Sequence, residues 1–203
     1  MDQNYNVIDM NELGKQVGAP VSMERFGDRE MELVHWDLEH ELAALRKLEE
    51  LAANGRPFRF EGHPSKWLLI AMCNALRDNG VIMYIPPLKA ETPLKAFRVG
   101  NEDDGVSTFQ VSENGDTVLV DYKFKDMKPQ EIHQTIVPPL PEGRDVIIRA
   151  TRHPILNAVC MALSYADTAR SVWVTPDYED DYCVCAITNT PEYTLGQQKK
   201  LDK

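Results

Sequence analysis

Two stretches ninety residues apart carry the same turn. GHPSKWLLIAM begins at Gly62 and RHPILNAVCMA begins at Arg152. In each, His-Pro follows a short strand-like segment and opens an apolar run. At an offset of 90, Arg59 falls on Arg149, His63 on His153, Pro64 on Pro154 and Pro86 on Pro176. The apolar positions between them also register, Leu69 on Val159 and Ile82 on Val172. Matches in one order with no gap point to an internal duplication. The expected fold is therefore α/β: two tandem copies of a small strand-helix-strand-helix-strand-strand unit, forming a pseudo-dimer about a pseudo-two-fold axis.

A pass along the chain places the boundaries. Residues 1–30 read as an N-terminal extension, with NELGKQVG as a short helix. Residues 31–100 are the first repeat. MELVHWDL is a strand, HELAALRKLEELAANG a helix stopped by Gly55, RPFRFEG a strand, HPSKWLLIAMCNALRDNG an amphipathic helix, VIMYIPP a strand and LKAFRVG its partner. Residues 101–115 are a polar connector, in which VSTFQV is a possible strand and NGD a hairpin turn. Residues 116–197 are the second repeat: TVLVDYKFKD, RDVIIRAT, SVWVTPD and YCVCAITNT as strands, KPQEIHQTIV as a short helix and RHPILNAVCMALSYADTA as a long one. Residues 198–203 are a polar tail.

The totals exclude some functions. No apolar stretch approaches the roughly 20 residues of a membrane span. The start, MDQNYNVIDM, lacks the basic and apolar regions of a signal peptide, so a cytoplasmic protein is expected. The net charge of −10 argues against holding a long nucleic acid by its backbone. A compact anion remains possible, because helix N-termini and a few arginines suffice to hold one. Cys73, Cys160, Cys183 and Cys185 lack the spacing of a zinc site and read as buried thiols.

The duplicated turn is where chemistry is expected. A strand, His-Pro and a helix place the imidazole near unpaired N–H groups and the positive end of a helix dipole. The carboxyl end of a strand in an α/β sheet is also where ligands sit. His63 and His153 could donate to a phosphate or carry a proton, or they could simply bond the nearby backbone. Arg152 stands beside His153, where repeat one has Gly62, so the two copies are expected to be unequal. Arg59 and Arg149 lie on the preceding strands and point either into a cleft or to solvent. In PDYEDDY the carboxylates of Asp177, Glu179, Asp180 and Asp181 form a solvated turn or a divalent-cation site, without the glycine of a calcium loop. Trp36 and Trp173 could stack on a base, whereas Trp67 falls on an apolar helix face. Glycine-rich phosphate loops, nucleophile elbows and His-Glu-x-x-His are absent from the sequence.

Over residues 116–197 the ordered set TVLVDYKF, KPQEIHQTI, PPLPEG, DVIIRA, TRHP, ILNAVCMALSY, SVWV, TPDYEDD, YCVCAI and TPEYTLG resembles a small CRISPR-associated domain of the Csx type. That domain binds cyclic oligoadenylates and in some members linearises them as a ring nuclease. It is a distant relative of the CARF sensor domains. Residues 31–99 look like a more diverged copy. Arg152 and Pro154 match the family's Arg-x-Pro turn. The family's histidine near the end of the long helix and its Asp-Pro-Arg turn, linked with manganese-dependent cleavage, are not matched. Asp167 stands near the first, and Thr175-Pro176-Asp177-Tyr178 replaces the second.

The resemblance implies a cytoplasmic cyclic-oligoadenylate-binding protein of type III CRISPR immunity that cleaves the ring with the ribose 2′-OH as nucleophile. Cyclic tetra-adenylate is the expected ring, and Mn²⁺ is the one cofactor the family suggests. The expected catalytic set is His63, His153 and Asp177. The expected ligand-binding set is Gly62, Pro64, Arg152, Pro154, Arg59 and Arg149. No resident metal, membrane or long nucleic acid is expected, and the assembly is a monomeric pseudo-dimer or a homodimer. Two other readings stand beside this one: a non-catalytic sensor or sponge, and a structural or partner-binding protein that has lost the ligand.

Overall fold

The structure, a computed structural model, describes residues 5–26, 29–62, 64–85, 90–124 and 129–201. The chain divides into two compact units, residues 1–64 with 78–93 and residues 65–77 with 94–203. Both are α/β. No helix among the described residues is long and apolar enough to cross a membrane.

The first unit holds β1 (Asn6–Asp9), α1 (Met10–Gln16), β2 (Val21–Phe26), β3 (Arg29–Val34), α2 (Leu38–Ala52), β4 (Phe58–Glu61), β5 (Val81–Ile85) and β6 (Ala90–Pro93). Its sheet runs β1-β4-β5-β6, with the first three strands parallel and β6 antiparallel. Both helices begin at an aspartate. Asp9 accepts from the N–H groups of Asn11 and Glu12, and Asp37 from that of His40, so donors at the helix starts are satisfied. Alternation along β4 puts Phe58 and Phe60 in the core with Met10, Leu48 and Met83. Gly14 sits where a Cβ would strike Val34 and Trp36, so only glycine lets α1 approach that closely.

The second unit holds α3 (Lys66–Ala75), β7 (Arg98–Val99), β8 (Ser107–Asn114), β9 (Thr117–Phe124), a 3-10 turn (Pro129–Gln134), β10 (Ile136–Val137), β11 (Asp145–Arg149), α4 (Ile155–Ser164), β12 (Ser171–Val174), β13 (Tyr182–Thr188) and β14 (Gln198–Lys200). Its six-stranded sheet is ordered β14-β13-β12-β11-β9-β8. β9, β11 and β12 are parallel, and β8 and β13 run antiparallel to their neighbours. β11 and β12 are buried without alternation because both faces of the sheet are covered. α3 and α4 pack together. Ile147, Trp173, Cys183 and Cys185 form a separate buried cluster with Leu119, Tyr193 and Leu201 against it. All four cysteines are buried free thiols.

The two sheets share a pattern. In each, two parallel strands are followed by a helix, a third parallel strand and an antiparallel one: β1-β4-α3-β5-β6 and β9-β11-α4-β12-β13. Several boundaries differ from the sequence expectation. Residues 6–9, expected in an extension, pair in parallel with β4. The partner of β5 is β6 rather than LKAFRVG. Pro93 ends β6, and an edge strand tolerates a proline that a central one would not. MELVHWDL contributes β3, but to a separate hairpin with β2. The polar connector supplies β8, an edge strand whose alternation is muted by exposure. Asn114-Gly115 makes the expected hairpin turn into β9. The tail 198–200 is β14, held to β13 by backbone pairing that its polar side chains do not reveal.

Candidate functional site: a cleft at the carboxyl edge of the second sheet

β11 ends at Arg149, and the chain turns through Thr151, Arg152 and His153 before α4 begins at Ile155. The turn is closed by the His153 N–H donating to the Ala150 carbonyl at 3.0 Å. Pro154 takes the N-cap position of α4, so His153 lies in the turn just before the helix. The buried Thr175, just past β12, ties the ends of the two strands. Its N–H donates to Ile148, and its hydroxyl accepts from the Ala150 N–H at 2.8 Å and contacts the Thr151 hydroxyl at 2.9 Å.

Arg152 has φ 61°, the one non-glycine residue in the left-handed region among those described. For a residue with a Cβ this conformation costs about 1–2 kcal/mol. Its N–H donates to the Asp177 carbonyl at 3.0 Å, which locks the strained turn to the loop after β12. Ninety residues earlier Gly62 has φ 98°. Positive φ therefore occurs at both positions, on a glycine at 62 and on an exposed arginine at 152.

Around this turn lies a cleft of about 710 Å³, within the roughly 300–1,000 Å³ of small-ligand sites. Arg149, Arg152 and Lys123 supply cations to its lining, and Asp121 and Asp180 carboxylates. Phe109, Tyr122 and Tyr178 supply aromatic faces, and Tyr178 is 89% exposed. The His153 ring stacks on Tyr122, with centroids 4.3 Å apart and planes at 30°. Burial, and then the charge of Lys66, lower the imidazole below its ordinary pKa, while Asp121 pulls the other way. A neutral imidazole at neutral pH can accept a proton. The Tyr122 hydroxyl is buried and has no hydrogen-bond partner in the described structure; burial, and then Asp177, hold it protonated. Arg149 contacts Asp121 only at 3.5 Å, and its buried Nε has no hydrogen-bond partner.

The remaining expected residues fall elsewhere. The Asp177 carboxylate is paired with the Lys66 ammonium at 2.6 Å. Arg59, expected as a ligand contact, is taken up within the first unit by Glu61 at 3.1 Å and Glu91 at 3.2 Å and lies over the Tyr84 ring. A Cβ on Gly62 would approach that of Met10 at 3.2 Å, and Pro64 is buried. His63, expected in the catalytic pair, lies outside the described residues.

The donor set does not fit the manganese site the resemblance implies. Asp167 pairs with Arg77 at 2.5 Å and Asp177 with Lys66. Among the described residues no group of three or more His, Cys, Asp or Glu converges on one point.

Lys66, Tyr122 and Thr175 were not singled out from sequence. Lys66 had a signal: it is a lysine opening KWLLIAMCNA, a run buried almost throughout. Tyr122 also had one, as the inward position that continues Val118 and Val120 along β9. Comparison with protein-family models, with curated proteins and with solved structures finds no match to the chain.

Proposed function

We propose that this chain binds a cyclic oligoadenylate in the cleft at the end of β9 and β11 and opens the ring there, in the manner of the CRISPR-associated domain its second half resembles. The observation that carries the reading is Arg152. An arginine is held in a conformation glycine would adopt without strain, and it stands at the mouth of a cleft beside a neutral histidine. Strain at such a position points to use. The two halves are read as tandem copies of one CARF-related unit, a reading supported by the shared strand order and the positive φ at Gly62 and Arg152.

Arg152 and Arg149 bind phosphate oxygens, and the aromatic faces of Phe109 and Tyr178 take a base. His153 accepts the proton of a ribose 2′-OH. The 2′-oxygen attacks phosphorus, the bond from phosphorus to the 5′-oxygen breaks, and the imidazolium returns its proton to that oxygen. The products are a 2′,3′-cyclic phosphate and a 5′-hydroxyl. Arg152 offsets the charge that develops on the phosphoryl oxygens.

Incubation with cyclic tri-, tetra- and hexa-adenylate without added metal, separated by liquid chromatography, tests this. The expected result is conversion of one ring to linear product by wild type and none by His153→Ala. Undiminished conversion by His153→Ala would remove the histidine from the mechanism. A second reading, a binder that leaves the ring intact, is favoured by the Lys66–Asp177 pair, which engages the second expected acid–base group. It predicts saturable binding with the ring recovered whole.

A further inference from the structure

Lys66 is the least ordinary side chain in the second unit. It opens α3, is only 3% exposed, and is followed in the helix by the buried Trp67, Leu68, Leu69 and Ile70. A buried ammonium must be paired and hydrogen-bonded to persist. Its Nζ donates to the Ala150 carbonyl at 2.5 Å and meets the Asp177 carboxylate at 2.6 Å. The first partner is the residue that closes the His153 turn, and the second is the residue whose carbonyl holds the Arg152 N–H. One cation therefore touches two of the segments that border the cleft, the turn after β11 and the loop after β12. It comes from the helix that follows the first His-Pro, so that helix contributes to the site through a residue its counterpart lacks. At an offset of 90 the position is Leu156.

We propose that Lys66 is a positioning residue of the cleft: it fixes the turn carrying Arg152 and His153 against the loop carrying Asp177 and Tyr178, and its ammonium bears on the protonation of His153. The inference deepens the proposed function. Its test is made without ligand, so either can fail while the other stands.

The electrostatic consequence is specific. The groups facing His153 from β9 are Asp121, Tyr122 and Lys123, and those from its own turn and strand are Arg152 and Arg149. The loop after β12 presents Tyr178 and Asp180 to the cleft, with Asp177 behind them on Lys66. Lys66 disfavours the imidazolium and Asp121 favours it. Removing the Lys66 charge must ease protonation of His153. Removing its counter-charge at Asp177 must do the reverse.

The experiment follows the imidazole Cε1–H resonance of His153 through a pH titration of the full chain, with the resonance assigned by its loss in His153→Gln. Lys66→Met is expected to titrate higher than wild type, and Asp177→Asn is expected to titrate lower. A wild-type midpoint in folded Lys66→Met overturns the proposal. If Lys66→Met does not fold, Asp177→Asn decides, because its carboxylate is 48% exposed and can be replaced without burying a new charge. A midpoint for Asp177→Asn at or above that of wild type overturns the proposal.

Discussion

The segment after β4 and the turn after β11 each hold a residue at positive φ, with different side chains around it. In the first, Gly62 takes the left-handed conformation, and Arg59 on the strand before it is surrounded by Glu61, Glu91 and Tyr84. In the second, Arg152 is strained into that conformation, and Arg149 has one distant carboxylate and a buried Nε without a partner. The first segment commits its arginine to internal ion pairs and the second leaves cations facing a cleft. The difference teaches that similar sequence at two places need not carry similar chemistry: left-handed strain on a residue with a Cβ remains in the second alone of these two segments, among the described residues.

The comparison can be broken in several ways. The largest effect is expected at His153. Replacing it with alanine should reduce ring turnover by about 100-fold or more if it is the general base. The wild-type rate should fall as pH drops through a value below about 6.5, the ordinary imidazole pKa, and stay flat above it. A rate that keeps rising between pH 7 and 9 would assign the base elsewhere.

Next in size is a structural difference between the halves. Asp145, at the start of β11, accepts two hydrogen bonds from Arg170, one from Ser171 and one from Tyr193. Burial alone would raise this carboxyl, but those donors more than offset it and hold it at about 2. Because the folded pKa lies below the unfolded value, near 3.9, the stabilisation is complete above about pH 4 and is lost as pH falls toward 2. Asp145→Asn should therefore lower unfolding free energy at pH 7 by about 2 kcal/mol and flatten the acid limb of stability against pH. Chemical denaturation at pH 7 and pH 3 measures both. An equal loss at the two pH values would contradict the assignment.

The smallest effects exchange the two turns. Arg152→Gly should raise stability by about 1 kcal/mol by relieving the left-handed strain. Gly62→Ala should lower it by about 1–2 kcal/mol, because φ 98° is unfavourable for any Cβ and Met10 is close. Thermal melts of the pair check the signs. A destabilised Arg152→Gly would mean that the arginine earns its place by contacts within the fold.

The α/β class and the helices α2, α3 and α4 were legible because periodicity and glycine stops are local signals. Strand partners were not. Nothing in NVID or in the alternating but exposed STFQVSEN specifies which sheet it joins, since backbone pairing leaves little trace in side chains. In the site, Arg149, Arg152 and His153 were found through one motif. Lys66, Tyr122 and Thr175 come from three other segments, and only tertiary structure brings them to the turn. The surroundings of Arg59 were hidden for a related reason: strand position does not reveal that Glu61 and Glu91 pair with it.

The most direct test of the account is calorimetric titration of cyclic tetra-adenylate into wild type, Arg152→Ala and Arg59→Ala. The account predicts saturable binding to wild type, weakening by tenfold or more in Arg152→Ala, and wild-type affinity in Arg59→Ala. Equal weakening in both variants, or weakening in Arg59→Ala alone, would contradict the placement of the ligand site in the second half.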